Sequence, residues 1–161
     1  MQIALYRGVS LTSKLIRLQT RGPYSHAAVS LTGGGLIESW QFGKGVRETK
    51  SLSDGHTSGT RVDLFDVQLT SLQEEVVETY LRSQVGKKYD WITILRFLTI
   101  ARAFIGGSRD DPDKLVCSEL VFEAYFLADK ILLERTKPHE VSPNLLGRSP
   151  LLVFSHSVLT T

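Results

Sequence analysis

The single cysteine, Cys117, is the residue of this sequence best suited to nucleophilic chemistry. It follows a loop that contains the helix breakers Gly106, Gly107 and Pro112, and it lies at the start of a predicted helix. Free N–H groups at a helix N-terminus stabilise a thiolate, which is the reactive form of cysteine. The alternative is an inert, buried cysteine, because free cysteines often pack as small hydrophobes and Cys117 shares one helix face with apolar residues (Val121, Ala124, Ala128 and Ile131).

Four histidines could supply the base that a nucleophilic cysteine needs. His56 lies in the loop SLSDGHTSGT, and His139 follows Pro138 in another loop. His156 lies between two serines near the C-terminus, where surface exposure explains it. His26 differs, because it lies early in the apolar segment GPYSHAAVSL, where a strand can fix the ring. His26 is therefore the candidate base, with a structural histidine as the alternative.

Glu38 is an unusual residue for the apolar segment LIESW, and it is the candidate that orients the His26 imidazole. An even separation across a hairpin with an odd-length turn places both side chains on one sheet face. A three-residue turn at Gly33–Gly35 would pair Glu38 with Ser30. The alternative for Glu38 is an edge-strand charge that faces water. Pairing with Ser30 leaves Glu38 about 13 Å from His26, so contact requires a bulge or another register. We predict this contact.

A metal site is the other chemistry that these residue types allow. Zinc could be held by His26, Glu38 and Cys117, but the three residues lack the local spacing of a zinc motif. The sequence therefore predicts neither a metal nor an organic cofactor.

The first half of the chain is predicted to form strands and one short helix. Ser10 caps that helix, and its leucines (Leu11, Leu15 and Leu18) share one face. The glycine run Gly33–Gly35 between two apolar segments predicts a hairpin. The predicted elements are strand Ile3–Arg7, helix Ser10–Gln19, and strands Ser25–Thr32, Leu36–Trp40, Val46–Thr49 and Arg61–Leu69.

The second half follows a helical period. Ser71 and Glu74 predict a capping box at the start of the first of its helices. The predicted elements are helices Ser71–Val85, Trp91–Phe104 and Val116–Ile131, and a closing strand Leu151–Val158. Strands followed by helices and a last strand predict an α+β domain with an antiparallel sheet packed against helices.

Composition limits the classes of function. The 161 residues, 42% hydrophobic and 22% charged, predict a single domain over residues 1–161 with a real core. The net charge of +2 comes from scattered basic residues, so no nucleic-acid partner is expected. One cysteine excludes a disulfide framework.

No segment reads as a targeting or membrane-spanning sequence. The N-terminus has no basic region followed by an apolar core, which predicts a cytoplasmic location unless a phage or another machine delivers the protein. The apolar stretch Trp91–Gly107 is too short to span a bilayer and contains Arg96 and Arg102. The sequence gives no oligomeric state.

Several segments together resemble a known family. In chain order, YSH, GKKYDW, VCSELVFEAY and EVSPNLLGRSP resemble the circularly permuted NlpC-type papain-like hydrolases, specifically the YiiX-like branch, which is related to the lecithin retinol acyltransferase group. The resemblance runs from about Leu5 to Leu152. It implies a permuted papain-like fold in which the histidine precedes the cysteine and the cysteine begins a helix.

The resemblance also implies roles for individual residues. It makes Cys117 the nucleophile, His26 the base and Glu38 the residue that orients the imidazole. Tyr89 matches the family's YD pair and Tyr24 belongs to the YSH segment, which implies a part in shaping the substrate site for both. Two departures weaken pocket assignments: Val116 stands where the family often has an aromatic residue, and the chain begins MQIALYRG without the family's Gly-Asp pair.

Three functions are compatible with this pattern. The first is a thiol hydrolase of amide bonds that acts on small peptides, among them cell-wall peptides, or on amino-acid amides. The second is a lipid-directed amidase or acyltransferase, indicated by the apolar helix Trp91–Phe104 with its two arginines. The third is an inactive module that keeps the fold and binds a peptide or lipid. The sequence favours the first without naming the substrate.

Overall fold

The structure, a computed structural model, describes residues 1–40, 45–88 and 116–161. One six-stranded antiparallel sheet organises them, in the order β4-β3-β2-β1-β5-β6. The strands are β1 (Gln2–Arg7), β2 (His26–Ser30), β3 (Leu36–Trp40), β4 (Gly45–Thr49), β5 (Arg61–Asp66) and β6 (Val153–Leu159). The predicted α+β class with an antiparallel sheet is confirmed.

Among the described residues, three longer helices and two short ones accompany the sheet. They are α1 (Leu11–Gln19), α2 (Ser71–Gln84), α3 (Cys117–Leu127), a 3₁₀ helix (Pro138–Glu140) and α4 (Pro143–Leu146). Within the described ranges, no helix is long and apolar enough to cross a membrane. The predicted helix Trp91–Phe104 lies outside the described residues.

One helix cap and the end of one helix differ clearly from their predictions. The capping box of α2 is formed one residue earlier than expected: the Gln73 N–H donates to Thr70 Oγ1, and the Thr70 N–H donates to Gln73 Oε1. The predicted Ser71–Glu74 box is therefore wrong. The last helix was predicted to run to Ile131, but α3 ends at Leu127 because Asp129 adopts a left-handed backbone with φ of 54°.

The β2–β3 hairpin has a longer turn than predicted. Leu36 pairs with Ser30, and Glu38 pairs with Ala28. The turn therefore spans residues 31–35, and the Leu31 N–H donates to the Gly35 carbonyl. The predicted pairing of Glu38 with Ser30 is wrong, because the turn uses Leu31 and Thr32 as well as the three glycines.

The two faces of the sheet bury different sets of residues. One face packs against α2 and α3 and forms the main core; its residues include Ile3, Leu5, Val29, Ile37, Leu81, Leu120 and Val121. The opposite face carries a smaller apolar cluster of Ala4, Tyr6, Ala28, Leu36, Val62 and Leu64. Because side chains alternate along a strand, His26 and Glu38 lie on this second face.

Helix α1 packs differently from α2 and α3. Ser10 caps it as predicted, accepting the Ser13 N–H at 3.2 Å. None of its residues is buried, and its three leucines face outward. The leucine face of α1 is therefore not part of the core.

Candidate active site

Sheet pairing brings the polar side chains of four strands into one row. Tyr6 on β1 pairs with His26 on β2, and Arg47 on β4 pairs with Glu38 on β3. Since Glu38 stands opposite Ala28, it is the diagonal neighbour of His26 on the same face. Diagonal neighbours in an antiparallel sheet are close enough for long side chains to meet.

His26 and Glu38 form a direct hydrogen bond. The distance from His26 Nε2 to Glu38 Oε2 is 2.7 Å, and Glu38 is completely buried. The other carboxylate oxygen, Oε1, accepts from Nε and Nη2 of Arg47 at 2.9 and 2.6 Å. Glu38 is thus a buried, ionised acceptor held between a histidine and an arginine.

His56 is a third partner of Glu38. It is not among the site residues predicted from the sequence. Its Nε2 lies 3.2 Å from Glu38 Oε2, the same oxygen that binds His26. The His56 ring stacks on Tyr6 with 4.0 Å between centroids and meets Trp40 edge-on at 4.7 Å. The turn-forming composition around His56 gives no sign of this placement, which depends on how the loop folds back over the sheet.

Arg47 fixes that loop to the sheet. In addition to its bonds with Glu38, Arg47 Nη2 donates to the Asp54 carbonyl at 2.6 Å, and the guanidinium lies 4.2 Å from the centroid of the Trp40 ring. Gly55 has φ of 76°, and a Cβ there would come within 3.2 Å of Trp40. Glycine at this position allows the loop to approach the site closely.

The electrostatics of the row favour a charged carboxylate. Burial alone would raise the pKa of Glu38, but hydrogen bonds and charges of His26 and His56 outweigh it and hold that pKa well below its usual range. Burial lowers the pKa of His56, so the neutral ring is favoured there despite its bond with Glu38.

Cys117 affects the protonation of His26. Burial opposes the imidazolium, but the charge and hydrogen bond of Cys117 and the hydrogen bond of Glu38 raise the pKa of His26 to about 10. Because Glu38 takes Nε2, Nδ1 is the ring nitrogen available to the thiol. The structure thus pairs His26 with Glu38 and buries Cys117 at the start of α3. The catalytic role of the three residues stays a prediction.

One segment, residues 138–146, supports both sides of this arrangement. Ser118, next to Cys117, donates its hydroxyl proton to the Val141 carbonyl at 2.7 Å. Asn144 accepts from the Tyr24 N–H at 2.7 Å and donates to the Tyr24 carbonyl at 2.8 Å, two residues before His26. The segment thus ties the start of α3 to the start of β2.

A cavity of about 200 Å³ opens beside His26. Its lining includes His26, Trp40 and His56 together with hydroxyl side chains contributed by α1, its cap and the loops (Ser10, Thr12, Ser13, Ser25, Thr57 and Thr60). The size and the hydroxyls suit a compact polar group.

Two tyrosines, Tyr24 and Tyr89, were predicted to shape the substrate site, and only Tyr24 lies within the described residues. Tyr24 is buried, and its hydroxyl donates to Asp63 Oδ2 at 3.0 Å. Its role in substrate binding stays a prediction. Tyr89 lies outside the described residues.

Three side chains of the site could together bind a metal ion. One ligand atom from each of His26, Glu38 and His56 lies within 4.8 Å of the others. Two imidazole nitrogens and a carboxylate oxygen are donors that zinc accepts. The set differs from the one considered from the sequence, because His56 takes the place of Cys117.

Comparisons with known proteins identify a structural relative. No protein-family model and no curated protein matches the sequence. The crystal structure of the metalloprotein yiiX from Escherichia coli O157:H7 is similar, with a TM-score of 0.67 and 20% sequence identity over 96% of this chain and 94% of that chain. The likeness confirms the YiiX-like fold that the sequence resemblance predicts.

Proposed function

We propose that this protein is a cysteine hydrolase of amide bonds with a permuted papain-like site. The observation that carries the proposal is the position of His26, which binds Glu38 at 2.7 Å through Nε2 and also interacts with Cys117. A nucleophile, a histidine and an orienting carboxylate in this order are the parts that thiol acyl transfer requires.

In the first half-reaction, Cys117 Sγ attacks the amide carbonyl and forms a tetrahedral intermediate. The His26 imidazolium then gives its Nδ1 proton to the amide nitrogen as the C–N bond breaks, which releases the amine and leaves a thioester on Cys117. The raised pKa of His26, about 10, keeps the imidazolium available for this step at neutral pH.

In the second half-reaction, neutral His26 takes a proton from water as the water oxygen attacks the thioester. The C–S bond breaks, the acid is released, and the thiolate and imidazolium are restored. Glu38 stays ionised throughout and stabilises each imidazolium through Nε2.

The start of α3 supplies donors for the oxyanion. Val116, the residue before Cys117, has no side-chain oxygen, so its own side chain cannot cap the first-turn N–H groups. We assign oxyanion stabilisation to these backbone N–H groups.

The substrate that best fits the cavity is a small peptide or an amino-acid amide. The volume of about 200 Å³ and the hydroxyl-rich wall favour a compact polar group next to His26. No organic cofactor enters the mechanism.

Turnover of a panel of peptide and amino-acid amides by matched variants tests the proposal. Cys117→Ala should abolish turnover, and His26→Ala should lower it at least about hundredfold. His156→Ala, a change of an exposed histidine on β6, serves as the control and should leave turnover unchanged. Full turnover by Cys117→Ala would contradict the proposal.

Metal binding is a second candidate function, favoured by the donor set of His26, Glu38 and His56. The related yiiX protein is described as a metalloprotein. These residues fit a divalent ion such as zinc, which would supply Lewis acidity when bound. Because His26 would be both a metal ligand and the base of the thiol mechanism, the two functions would compete for the same side chain.

Metal analysis of the purified protein separates the two candidates. A metal site requires about one equivalent of zinc that is lost in His56→Ala and kept in His156→Ala. The thiol mechanism requires that amide turnover survive treatment with a chelator. Loss of turnover on chelation with recovery on zinc addition would favour the metal function.

A further inference from the structure

The apolar face of α1 points away from the molecule. Leu11, Leu15 and Leu18 are 75%, 46% and 77% exposed, and their spacing places them on one side of the helix. Val9, just before the cap, is 39% exposed. Single exposed leucines are ordinary, but a contiguous apolar patch on a helix marks an interaction surface.

Two exposed cations lie on or just after the helix that carries this leucine face. Lys14 and Arg21 are exposed, and Lys14 borders the leucines on the helix. The chain contains no Asp or Glu between Met1 and Ile37. The surface therefore offers two complementary features, leucines that acyl chains can solvate and cations that phosphate groups can pair with.

We propose that α1 docks this protein on an anionic lipid surface. Leu11, Leu15 and Leu18 enter the boundary between headgroups and acyl chains, and Lys14 and Arg21 pair with lipid phosphates. The helix lies along the surface, since its nine residues are far too few to span a bilayer.

The inner side of the same helix faces the candidate active site. Thr12 and Ser13 line the cavity that contains His26. Docking through the leucines would place this cavity beside the lipid surface, so the amides it reaches would be those displayed there. This consequence rests on the proposed function, whereas the docking itself does not.

Co-sedimentation of the full chain with vesicles tests the docking. Vesicles of phosphatidylcholine with and without phosphatidylglycerol are compared at low and high salt. We expect binding to the anionic vesicles and a loss of partitioning of about tenfold or more in the variant L11S/L15S/L18S. Leu72→Ser is the matched control, because Leu72 is 70% exposed on α2, and it should bind as the native protein does.

Two further variants separate the contributions to binding. Lys14→Glu with Arg21→Glu should weaken binding to anionic vesicles and reduce its salt dependence. A tryptophan introduced by Leu15→Trp should be quenched by brominated acyl chains. Cys117→Ala should bind vesicles fully, so a failed hydrolase proposal and a failed docking proposal give different results.

Each of the following outcomes would overturn the docking proposal. One is no binding to anionic vesicles at low salt, and another is equal binding by L11S/L15S/L18S. A large drop in the unfolding temperature of that variant without vesicle binding would show that the leucines pack within the chain. Conversion of a dimer to a monomer by that variant would assign the face to a second copy.

Discussion

At the residue scale, Glu38 is the centre of the site. Its two oxygens accept bonds from His26, His56 and Arg47 while the side chain is fully buried. A buried carboxylate is tolerated only when it is paired in this way. The arrangement gives Glu38 two functions, fixing the His26 ring and stabilising its charged form.

The first prediction separates these two functions of Glu38. Glu38→Gln keeps a hydrogen-bond acceptor for His26 but removes the charge, so we expect turnover to fall about tenfold, whereas Glu38→Ala should lose about hundredfold. Removing the negative charge lowers the pKa of His26 from about 10, so the alkaline limb of the kcat/KM profile should move to lower pH in Glu38→Gln. The measurement is kcat/KM against pH.

Glu48→Gln is the matched control for this series, because Glu48 is an exposed neighbour on β4 that pairs with Arg82. Unchanged turnover in Glu38→Ala would reduce the site to Cys117 and His26. A parallel measurement of unfolding is needed, since Glu38→Ala also leaves Arg47 without its carboxylate.

The sequence indicates which residues carry suitable chemical groups. It does not indicate which other side chains contact those residues in the fold. Cys117, His26 and Glu38 could be selected from their local patterns. Arg47 and His56 could not, because nothing near them in sequence shows that β4 pairs with β3 or that the loop covers the sheet. His56 was placed in a loop and not chosen as the base, although its side chain is only 8% exposed and contacts Glu38.

At the element scale, Asp63 joins three strands of the sheet. It accepts from Arg7 on β1, from Arg61 on its own strand β5, and from Ser157 on β6, in addition to Tyr24. Burial opposes its ionisation, but the hydrogen bonds outweigh burial and lower the pKa of Asp63 to about 2.

The second prediction concerns stability in acid. Because the pKa of Asp63 is below its unfolded value of 3.8, its ionised form stabilises the fold above about pH 4, and this contribution is lost as the pH falls toward 2. Asp63→Asn should therefore lower the free energy of unfolding by about 2 kcal/mol at pH 7 and flatten its pH dependence between pH about 4 and 2. Urea denaturation at several pH values measures both.

Asp66→Asn provides the comparison for this prediction, since Asp66 is exposed at the end of the same strand. An equal loss of stability in Asp66→Asn, or an unchanged pH dependence in Asp63→Asn, would show that the Asp63 network does not act as described.

The third prediction tests the segment that joins α3 to β2. Asn144→Ala leaves the buried N–H and carbonyl of Tyr24 without their side-chain partner, so we expect a loss of about 2 kcal/mol in unfolding free energy. Because Tyr24 precedes His26 by two residues, kcat should also fall at temperatures where the variant is fully folded. Asn144→Asp keeps the acceptor for the Tyr24 N–H and should have a smaller effect. Unchanged kcat in folded Asn144→Ala would remove this segment from the positioning of the site.

The hairpin shows what local sequence can and cannot predict at this scale. The glycine run correctly indicates a turn between β2 and β3. It does not determine how many flanking residues join the turn, and a shift of two residues in pairing decides whether Glu38 lies opposite Ser30 or Ala28. The observed pairing buries Leu36 with Ala28 in the apolar cluster of the second face, a long-range preference that the hairpin alone does not reveal.

At the scale of the whole molecule, the two faces of the sheet carry different sets of residues. One face buries the main core against α2 and α3, and the other carries the row from Tyr6 to Arg47 beneath the loop that contains His56. The α+β class followed from the order of strand-like and helix-like segments. The outward leucines of α1 did not, because an apolar stripe on a helix ordinarily predicts a buried face.

The most direct test of the central claim is the intact mass of the protein after incubation with peptide and amino-acid amides, including peptidoglycan peptides. We predict an added acyl mass on native protein that maps to Cys117 and is absent from Cys117→Ala. The adduct should accumulate further in His26→Ala if that change slows hydrolysis of the thioester more than its formation. The same adduct should appear unchanged in the His156→Ala control. Turnover of these amides with no mass ever added at Cys117, or an adduct that persists in Cys117→Ala, would contradict the account.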